Sequence, residues 1–258
     1  MNYFLLLFPI FILVYFLFKK KRPSKKENSD KPVLYLKAIL EENVDFYQDL
    51  DEEKKGSFEH LVIQFLSETR VEGVGLEVND LDKVLIASSA VIPVFGFPGW
   101  RYKNLSNVLL YPNTFNKEFQ FEGGERQILG MVGTGYMNGQ MLLSKEALYR
   151  GFAENNGKEN TAIHEFVHLL DKTDGAVDGF PEVLMHHKYS EPWLKMIHKE
   201  MNLIKRGKSD IDAYALTNEA EFLAVAAEYF FEKPEQLKDK RPELYDLLSK
   251  IFLQDLAK

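Results

Sequence analysis

Hydrophobic side chains recur along much of this 258-residue chain at the three- and four-residue steps of amphipathic helices. The pattern predicts packing helices between residues 33 and 68. Similar spacing predicts four more helices, over residues 160–172, 192–204, 218–231 and 244–256. Most of the regular structure is therefore expected to be helical.

Extended segments are fewer and shorter. Residues 108–111 (VLLY) and 139–144 (GQMLLS) are short apolar runs beside turn residues, and both predict strands. Residues 84–94 are apolar throughout, so they predict either a buried helix or a buried strand. Residues 123–139 hold six glycines among seventeen residues, which indicates a loop or a lid.

The N-terminal pattern differs from the rest of the chain. Every residue from 3 to 18 is apolar or aromatic apart from Pro9, and residues 19–26 then carry six basic side chains and no acid. Sixteen residues are slightly short of the ~20 that cross a bilayer as a helix, but flanking lysines can reach the headgroups. A cleaved signal peptide normally has its charges before the apolar core. This order of charges therefore predicts a retained transmembrane helix.

The positive-inside rule leaves the lysine side of such a helix in the cytoplasm. We therefore expect a membrane-anchored protein with a single N-terminal pass and a cytoplasmic body, so that the membrane is one partner. The predicted boundaries are an anchor with its basic collar over residues 1–22, a linker over 23–32 and one domain over 33–258.

Composition narrows the chemistry that this domain can use. The chain is 45% hydrophobic and 28% charged, enough for a globular core, and it has no cysteine. Disulfides and thiolate metal sites are therefore excluded, which leaves nitrogen and oxygen ligands for any metal. The net charge is -7, and the chain beyond the basic collar is more acidic still. No nucleic-acid partner is expected, because an acidic body repels phosphate backbones.

The strongest chemical signal is the pentapeptide HEFVH at residues 164–168. Residues four apart lie one turn from each other on the same helix face, so His164 and His168 would be neighbours. Two imidazoles so placed can bind one zinc ion, and Glu165 between them can act as general base on a water. The alternative is an amphipathic helix with two surface histidines and a solvated glutamate.

A catalytic zinc site needs a third protein ligand. No other histidine has the spacing of the HExxHxxGxxH pattern, so a carboxylate from a second helix is the next option. Glu221 lies among alanines and large apolar residues, where an unpaired carboxylate is costly. It is therefore either a metal ligand or an acid favoured by the dipole at a helix N-terminus.

Both motifs lie within longer blocks that resemble a known family. HEFVHLLDKTDGAVDG (residues 164–179) and YALTNEAEFLAVAAEYFF (residues 214–231) are similar to the MtfA (Mlc titration factor A) family of zinc peptidases. VLLYP at residues 108–112 and MLLSKEAL at 141–148 resemble it as well. The likeness spans roughly residues 35–250, and the apolar N-terminus lies outside the common pattern. The second block is also similar to the catalytic domain of anthrax lethal factor.

The resemblance implies a fold and a site. The fold would be α+β, a zincin-like metallopeptidase domain, mostly helical with a small mixed sheet, preceded by the transmembrane helix. A zinc ion (Zn2+) would be held by His164, His168 and Glu221. Glu165 would be the general base, and the Tyr214 phenol would donate a hydrogen bond to the developing oxyanion.

Two further assignments stay open. Asp171 and Asp174 are either acceptors for the histidine N–H groups or caps at the helix end. The strand around residues 140–143 is either an edge strand that pairs with an extended substrate or an ordinary internal strand.

The expected function is aminopeptidase-like hydrolysis of a peptide or protein substrate by a metal-activated water and a glutamate base. The alternative is a regulatory binding protein that sequesters a transcriptional repressor with little or no peptidase activity, a role with which the resemblance associates family members. The complete set of ligands, base and tyrosine favours the enzyme.

Overall fold

The structure is a computed structural model that describes residues 30–123, 126–153, 157–182, 184–185 and 189–258. Residues Leu36–Lys258 form one compact unit. The predicted boundaries at residues 22 and 32 stay predictions.

The described residues form ten α-helices, several of them joined by short 3-10 turns. In chain order these helices are α1 (Asp30–Asn43), α2 (Asp45–Gln48), α3 (Glu52–Glu68), α4 (Asp80–Val91), α5 (Lys145–Gly151), α6 (Thr161–Asp171), α7 (Ser190–Lys205), α8 (Glu219–Glu232), α9 (Pro234–Lys240) and α10 (Pro242–Phe252). The apolar stretch over residues 84–94 is therefore helical, with α4 running into a 3-10 turn at Ile92–Val94.

Polar side chains just before several helices explain where those helices begin. The Asn160 side chain accepts a hydrogen bond from the backbone N–H of Ile163 and caps α6. Asn218 accepts from the N–H of Glu221 in the same way at the start of α8. Such caps satisfy backbone donors that a helix leaves unpaired in its first turn.

Four strands form one mixed sheet with the order β1-β2-β4-β3. They are β1 (Arg70–Gly73), β2 (Asn107–Tyr111), β3 (Gly130–Val132) and β4 (Gln140–Ser144). The first three in this order run parallel, with Val108 opposite Met141, and β3 pairs antiparallel with β4. The predicted class, mostly helical with a small mixed sheet, is confirmed.

Strand β4 is internal, because β2 and β3 flank it on its two sides. Of the two alternatives for residues 140–143, the internal strand is therefore correct. The edge strands are β1 and β3, and β3 lies inside the glycine-rich stretch that the sequence predicts as a loop. Strand β3 has only three residues, the first of them Gly130, which is too short a pattern to be recognised as a strand. It forms because β4 supplies its hydrogen-bond partners.

The sheet separates two apolar clusters of unequal size. Met141 and Leu143 of β4 point into the main core, whereas Leu142 between them packs with Tyr111 and Phe115 in a smaller cluster. This alternation follows from the two-residue period of a strand. Helices α6 and α8 pack against each other in the main core, where they position the candidate site.

The predicted membrane anchorage requires correction. Residues 3–18, on which it rested, lie outside the described residues. Within the part of the chain that the structure describes, no helix combines the length and the apolar character that a bilayer crossing needs. The longest of these helices, α3, has 17 residues and begins with two glutamates, whereas a span takes about 20 apolar residues. The membrane-anchored location is thus corrected to what the structure supports: no described helix provides the span, and the predicted transmembrane helix falls on residues that the structure does not describe.

Candidate metal centre and cleft

Helices α6 and α8 bring the three sequence-predicted ligands together. His164 and His168 lie one turn apart on α6, as their spacing predicts, and Glu221 lies in the first turn of α8. The His164 Nε2 atom is 2.9 Å from Glu221 Oε2 and 3.1 Å from His168 Nε2. The remaining pair, His168 Nε2 and Glu221 Oε2, is 3.3 Å apart.

The donor set suits a metal ion. One ligand atom from each of the three residues lies within 4.8 Å of the other two, a spacing that a shared ion can bridge. Two imidazole nitrogens and one carboxylate oxygen are the protein ligands of many catalytic zinc sites, which keep a fourth position open. The three side chains are buried or half-buried, so the ion would be shielded from bulk water.

The protonation states of these groups are strongly coupled. Burial lowers the pKa of His164, but hydrogen bonds to Glu221 and Glu228 outweigh it and raise that pKa to about 10. Burial raises the pKa of Glu221, but hydrogen bonds with His164 and His168 outweigh it and lower that pKa to about 2. Without a metal, therefore, a proton holds the cluster together. A metal ion would displace it, because imidazole binds metals in its neutral form.

Glu228 also contacts the ligand cluster, although the sequence pattern did not single it out. Its Oε1 atom lies 2.7 Å from Nδ1 of His164, and its Oε2 atom accepts a 2.5 Å hydrogen bond from the backbone N–H of Asn160. A carboxylate on Nδ1 leaves Nε2 free to face a metal and orients the ring. The sequence places Glu228 two helical turns after Glu221, on the same face of α8, but its contact with His164 depends on the packing of α8 against α6.

The two aspartates proposed as histidine acceptors have other partners. Asp171 is fully buried and accepts from the backbone N–H of Gly179 at 2.8 Å, and Asp174 accepts from that of Ala176 at 3.1 Å. Both aspartates therefore organise the loop after α6, which agrees with the capping alternative. Among the described residues, Nδ1 of His168 has no hydrogen-bond partner.

Glu165 is buried beside the cluster and in contact with the edge strand β3. A Cβ atom at Gly130 of β3 would lie only 2.7 Å from Cγ of Glu165, so a residue without a side chain is required there. Burial raises the pKa of Glu165, while the two histidines act in the opposite direction. A carboxylate with a raised pKa is suited to taking up a proton near neutral pH.

Tyr214 lies on a 3-10 turn, Ala213–Leu216, that precedes α8. The turn begins where Asp212 Oδ1 accepts the backbone N–H of Tyr214 at 2.7 Å. The Tyr214 ring centroid is 6.0 Å from that of His164, and the side chain is 55% exposed. An aromatic side chain left this accessible has room to bend toward a bound substrate.

A cleft of about 560 Å³ opens beside the cluster. His164 and Glu165 line one wall, Tyr214 another, and the segment leading into β3 forms part of a third. The structure thus brings all five sequence-predicted site residues to one place, since His168 and Glu221 complete the ligand cluster behind His164.

Two packed helices that present a His-His-Glu cluster to a cleft beside a small mixed sheet indicate a metallopeptidase-like protein. Comparison with known families agrees: residues 18–253 match the family described as glucose-regulated metallo-peptidase M90. The chain belongs to this family.

Individual relatives share about a quarter of their residues with this chain. The uncharacterized protein slr2042 of Synechocystis sp. is 27% identical over 226 residues, covering 83% of this chain and 82% of its own length. Mlc titration factor A of Pectobacterium atrosepticum is 27% identical over 221 residues, covering 80% of this chain and 81% of its own length. The protein of the same name in Escherichia coli is 27% identical over 217 residues with the same coverage. The expected resemblance to the Mlc titration factor A family is confirmed.

Proposed function

We propose that this protein is a zinc-dependent peptidase in which His164, His168 and Glu221 hold the metal. The observation that carries the proposal is the convergence of three donor atoms within 4.8 Å beside a buried glutamate at the edge of a cleft. Membership of a metallo-peptidase family supports the same activity. A bound zinc ion supplies Lewis acidity, which polarises a carbonyl and makes a nearby water easier to deprotonate.

The protein side chains carry the proton and steady the charge. Glu165 takes the proton from the attacking water and passes it to the leaving amine, a role that suits its raised pKa. Tyr214 donates a hydrogen bond from its phenol to the developing oxyanion. Glu228 holds His164 through Nδ1, so that Nε2 keeps its direction toward the ligand cluster.

The edge of β3 can align an extended substrate. Leu129 O accepts from Ser144 N and Gly133 N donates to Gln140 O, so these odd-numbered residues face β4. In an antiparallel ladder the intervening residues Gly130 and Val132 direct their N–H and C=O groups away from β4. Because Gly130 touches Glu165, a peptide paired with this edge would pass beside the general base.

The test uses purified, zinc-loaded protein and a panel of fluorogenic peptides with free and blocked N-termini. We expect about one zinc per chain, cleavage by the wild-type protein, and a preference for free N-termini if the activity is aminopeptidase-like. Glu165→Gln should keep the zinc and lose about 10²- to 10⁴-fold in turnover. Glu146→Gln, the same exchange at an exposed position on α5, is the matched control.

Each outcome bears on a different part of the proposal. Unchanged turnover in Glu165→Gln would remove this residue from the base role, and metal analysis without zinc would overturn the ligand set. Zinc without hydrolysis of any peptide would favour the second candidate, binding of a transcriptional regulator. That candidate is supported by relatives whose name states that they titrate Mlc.

A further inference from the structure

The residues that line the cleft beside the ligand cluster favour some substrate side chains over others. We propose that the cleft binds one uncharged, apolar side chain of the substrate, of about the size of leucine or phenylalanine, adjacent to the scissile bond. This inference rests on the proposed peptidase function and names the class of residue that the site would select.

The cleft begins at the groups proposed to carry out the chemistry. His164 and Glu165 line one of its walls, and Thr161, one turn earlier on α6, continues the same wall. On α8, Val225 lines the cleft from the turn between Glu221 and Glu228. A side chain entering here would therefore belong to a residue next to the bond under attack.

Apolar atoms form most of the cleft surface. Leu129, Ile211, Val225 and Tyr229 line it from three segments of the chain, because Val225 and Tyr229 both belong to α8. Ile211, Val225 and Tyr229 are all less than a tenth exposed, so their positions are set by packing in the main core. A substrate side chain that covers this surface removes apolar area from water, which favours an apolar group.

Several charged groups inside the cleft are paired within the protein, although Oδ1 of Asp210 has no hydrogen-bond partner among the described residues. The Lys158 ammonium donates to the backbone O of Asp210 at 2.7 Å and to its Oδ2 at 2.6 Å, and it lies 4.0 Å from the centroid of the Tyr229 ring. Both carboxylate oxygens of Glu228 are engaged by His164 and Asn160. A charged substrate side chain would thus lose its water and compete with these internal partners for a counter-charge.

Two other carboxylates of the cleft are at its rim. Glu159 and Asp212 line the opening and are exposed to solvent. Water and salt weaken the attraction of such groups for a cation. They are therefore expected to contribute less to selection than the buried apolar wall.

The experiment measures side-chain preference in two ways on the full-length, zinc-loaded protein. Synthetic peptides that differ at one position, as Gly, Ala, Leu, Phe, Asp or Lys, are compared by kcat/KM, and mass spectrometry locates the cleaved bond. A matching series of peptide hydroxamates, which bind zinc without being cleaved, is compared by Kd. We expect Leu and Phe to exceed Gly, Asp and Lys by at least about 10-fold in both series.

Substitution of Val225 tests whether the cleft is the source of this preference. Val225→Phe fills the space and should reduce the Leu-over-Gly ratio about 10-fold or more while Gly ligands are still bound. Val225→Ala enlarges the space, is less disruptive to folding, and should shift the preference from Leu toward Phe. Val177→Phe, the same exchange at an exposed position outside the cleft, should leave both ratios unchanged.

The outcomes separate this inference from the function on which it rests. Equal use of all side chains, or a preference for Lys or Asp, would overturn the apolar cleft and leave the peptidase function in place. Hydroxamate binding with the Leu preference, but no cleavage of any peptide, would support the cleft as a binding site and overturn the peptidase function. No selectivity in either series, together with no cleavage, would overturn both.

Discussion

The two ends of helix α6 hold their histidines in different ways. At the N-terminal end, Asn160 caps the helix, its backbone N–H donates to Glu228, and its side chain donates to Gly151 O and Glu232. Glu228 in turn contacts Nδ1 of His164 at 2.7 Å. One network therefore joins the start of α6, the face of α8 and the first histidine.

The C-terminal end of α6 is organised by the loop that follows it. Asp171 accepts from Gly179 N, and Lys172 donates to Gly133 O at 2.9 Å and to Asn138 Oδ1 at 3.0 Å. Neither contact reaches the second histidine, since Nδ1 of His168 and Oδ1 of Asp171 lack partners among the described residues. The protein thus orients His164 before a metal arrives, whereas the direction of His168 depends more on the metal itself.

The largest expected effect comes from breaking the network at the N-terminal end. Glu228→Gln leaves one amide oxygen for two donors, so either His164 Nδ1 or Asn160 N loses its acceptor. We expect zinc affinity, measured by competition with a chromophoric chelator, to fall about 10- to 100-fold. The absorption spectrum of the cobalt-substituted protein should change as well, because it reports ligand geometry.

The matched control for this change is Glu232→Gln. Glu232 lies one turn further along α8 and contacts the Asn160 side chain rather than the histidine. Its variant should bind zinc with nearly the wild-type affinity. An equal loss in both variants would show that general packing of α8, and not the contact with His164, sets the affinity.

The next effect concerns Asp210, which lies between α7 and α8 and pairs with Lys158 in the segment before α6. Asp210 accepts hydrogen bonds from Lys158, Lys240 and Tyr229. Burial favours its neutral form, but these bonds outweigh burial and hold the pKa of Asp210 well below its usual value of 3.8. We expect Asp210→Asn to lower the free energy of unfolding by about 1–3 kcal/mol at pH 7.

This difference has a defined pH dependence. A lowered folded-state pKa contributes stability that is present above pH 3.8 and is lost as the pH falls below it, so the gap between wild type and variant should narrow toward acid pH. Urea unfolding at pH 7 and pH 3 measures this difference in the free energy of unfolding. Asp239→Asn, at an exposed position on α9, is the control. A gap that widens at pH 3 would contradict the assignment.

The smallest effect is expected at the C-terminal end of α6. Burial raises the pKa of Asp171 to about 6, with the Gly179 N–H acting against it. The folded metal-free protein therefore binds this proton more tightly than the unfolded chain, and it loses stability as the pH rises from about 4 to 6. Asp171→Asn keeps an oxygen that can accept from Gly179, and it has no carboxyl to ionise. The variant should therefore not lose stability over this pH range, and its free energy of unfolding at pH 7 should exceed that of wild type by on the order of 1 kcal/mol.

Unfolding of the metal-free proteins at pH 4 and pH 7 tests this prediction. The two proteins should be alike at pH 4, where the Asp171 carboxyl is protonated. A variant that is less stable than wild type at pH 7 would indicate that the ionised carboxylate has a stabilising partner.

Local sequence patterns predicted the residues of the candidate site more completely than they predicted the elements of the fold. The four-residue spacing of His164 and His168 placed both on one helix face, because helix geometry needs no distant contact. Glu221 remained ambiguous in the sequence, since a ligand and an acid near a helix N-terminus look alike there. Strand β3 and the contact of Glu228 with His164 were missed, because each depends on a contact between two separate segments of the chain.

The sequence by itself determined the helical class of the domain, the absence of thiolate chemistry and the residues of the HEFVH motif. Those features follow from periodicity and residue type, which act over a few neighbouring positions. Only the tertiary structure decided that Glu221 meets the two histidines, that Glu228 supports the first of them, and that β3 rather than β4 forms a sheet edge. These arrangements arise from the packing of α6 against α8 and from pairing within the sheet, which no local pattern encodes.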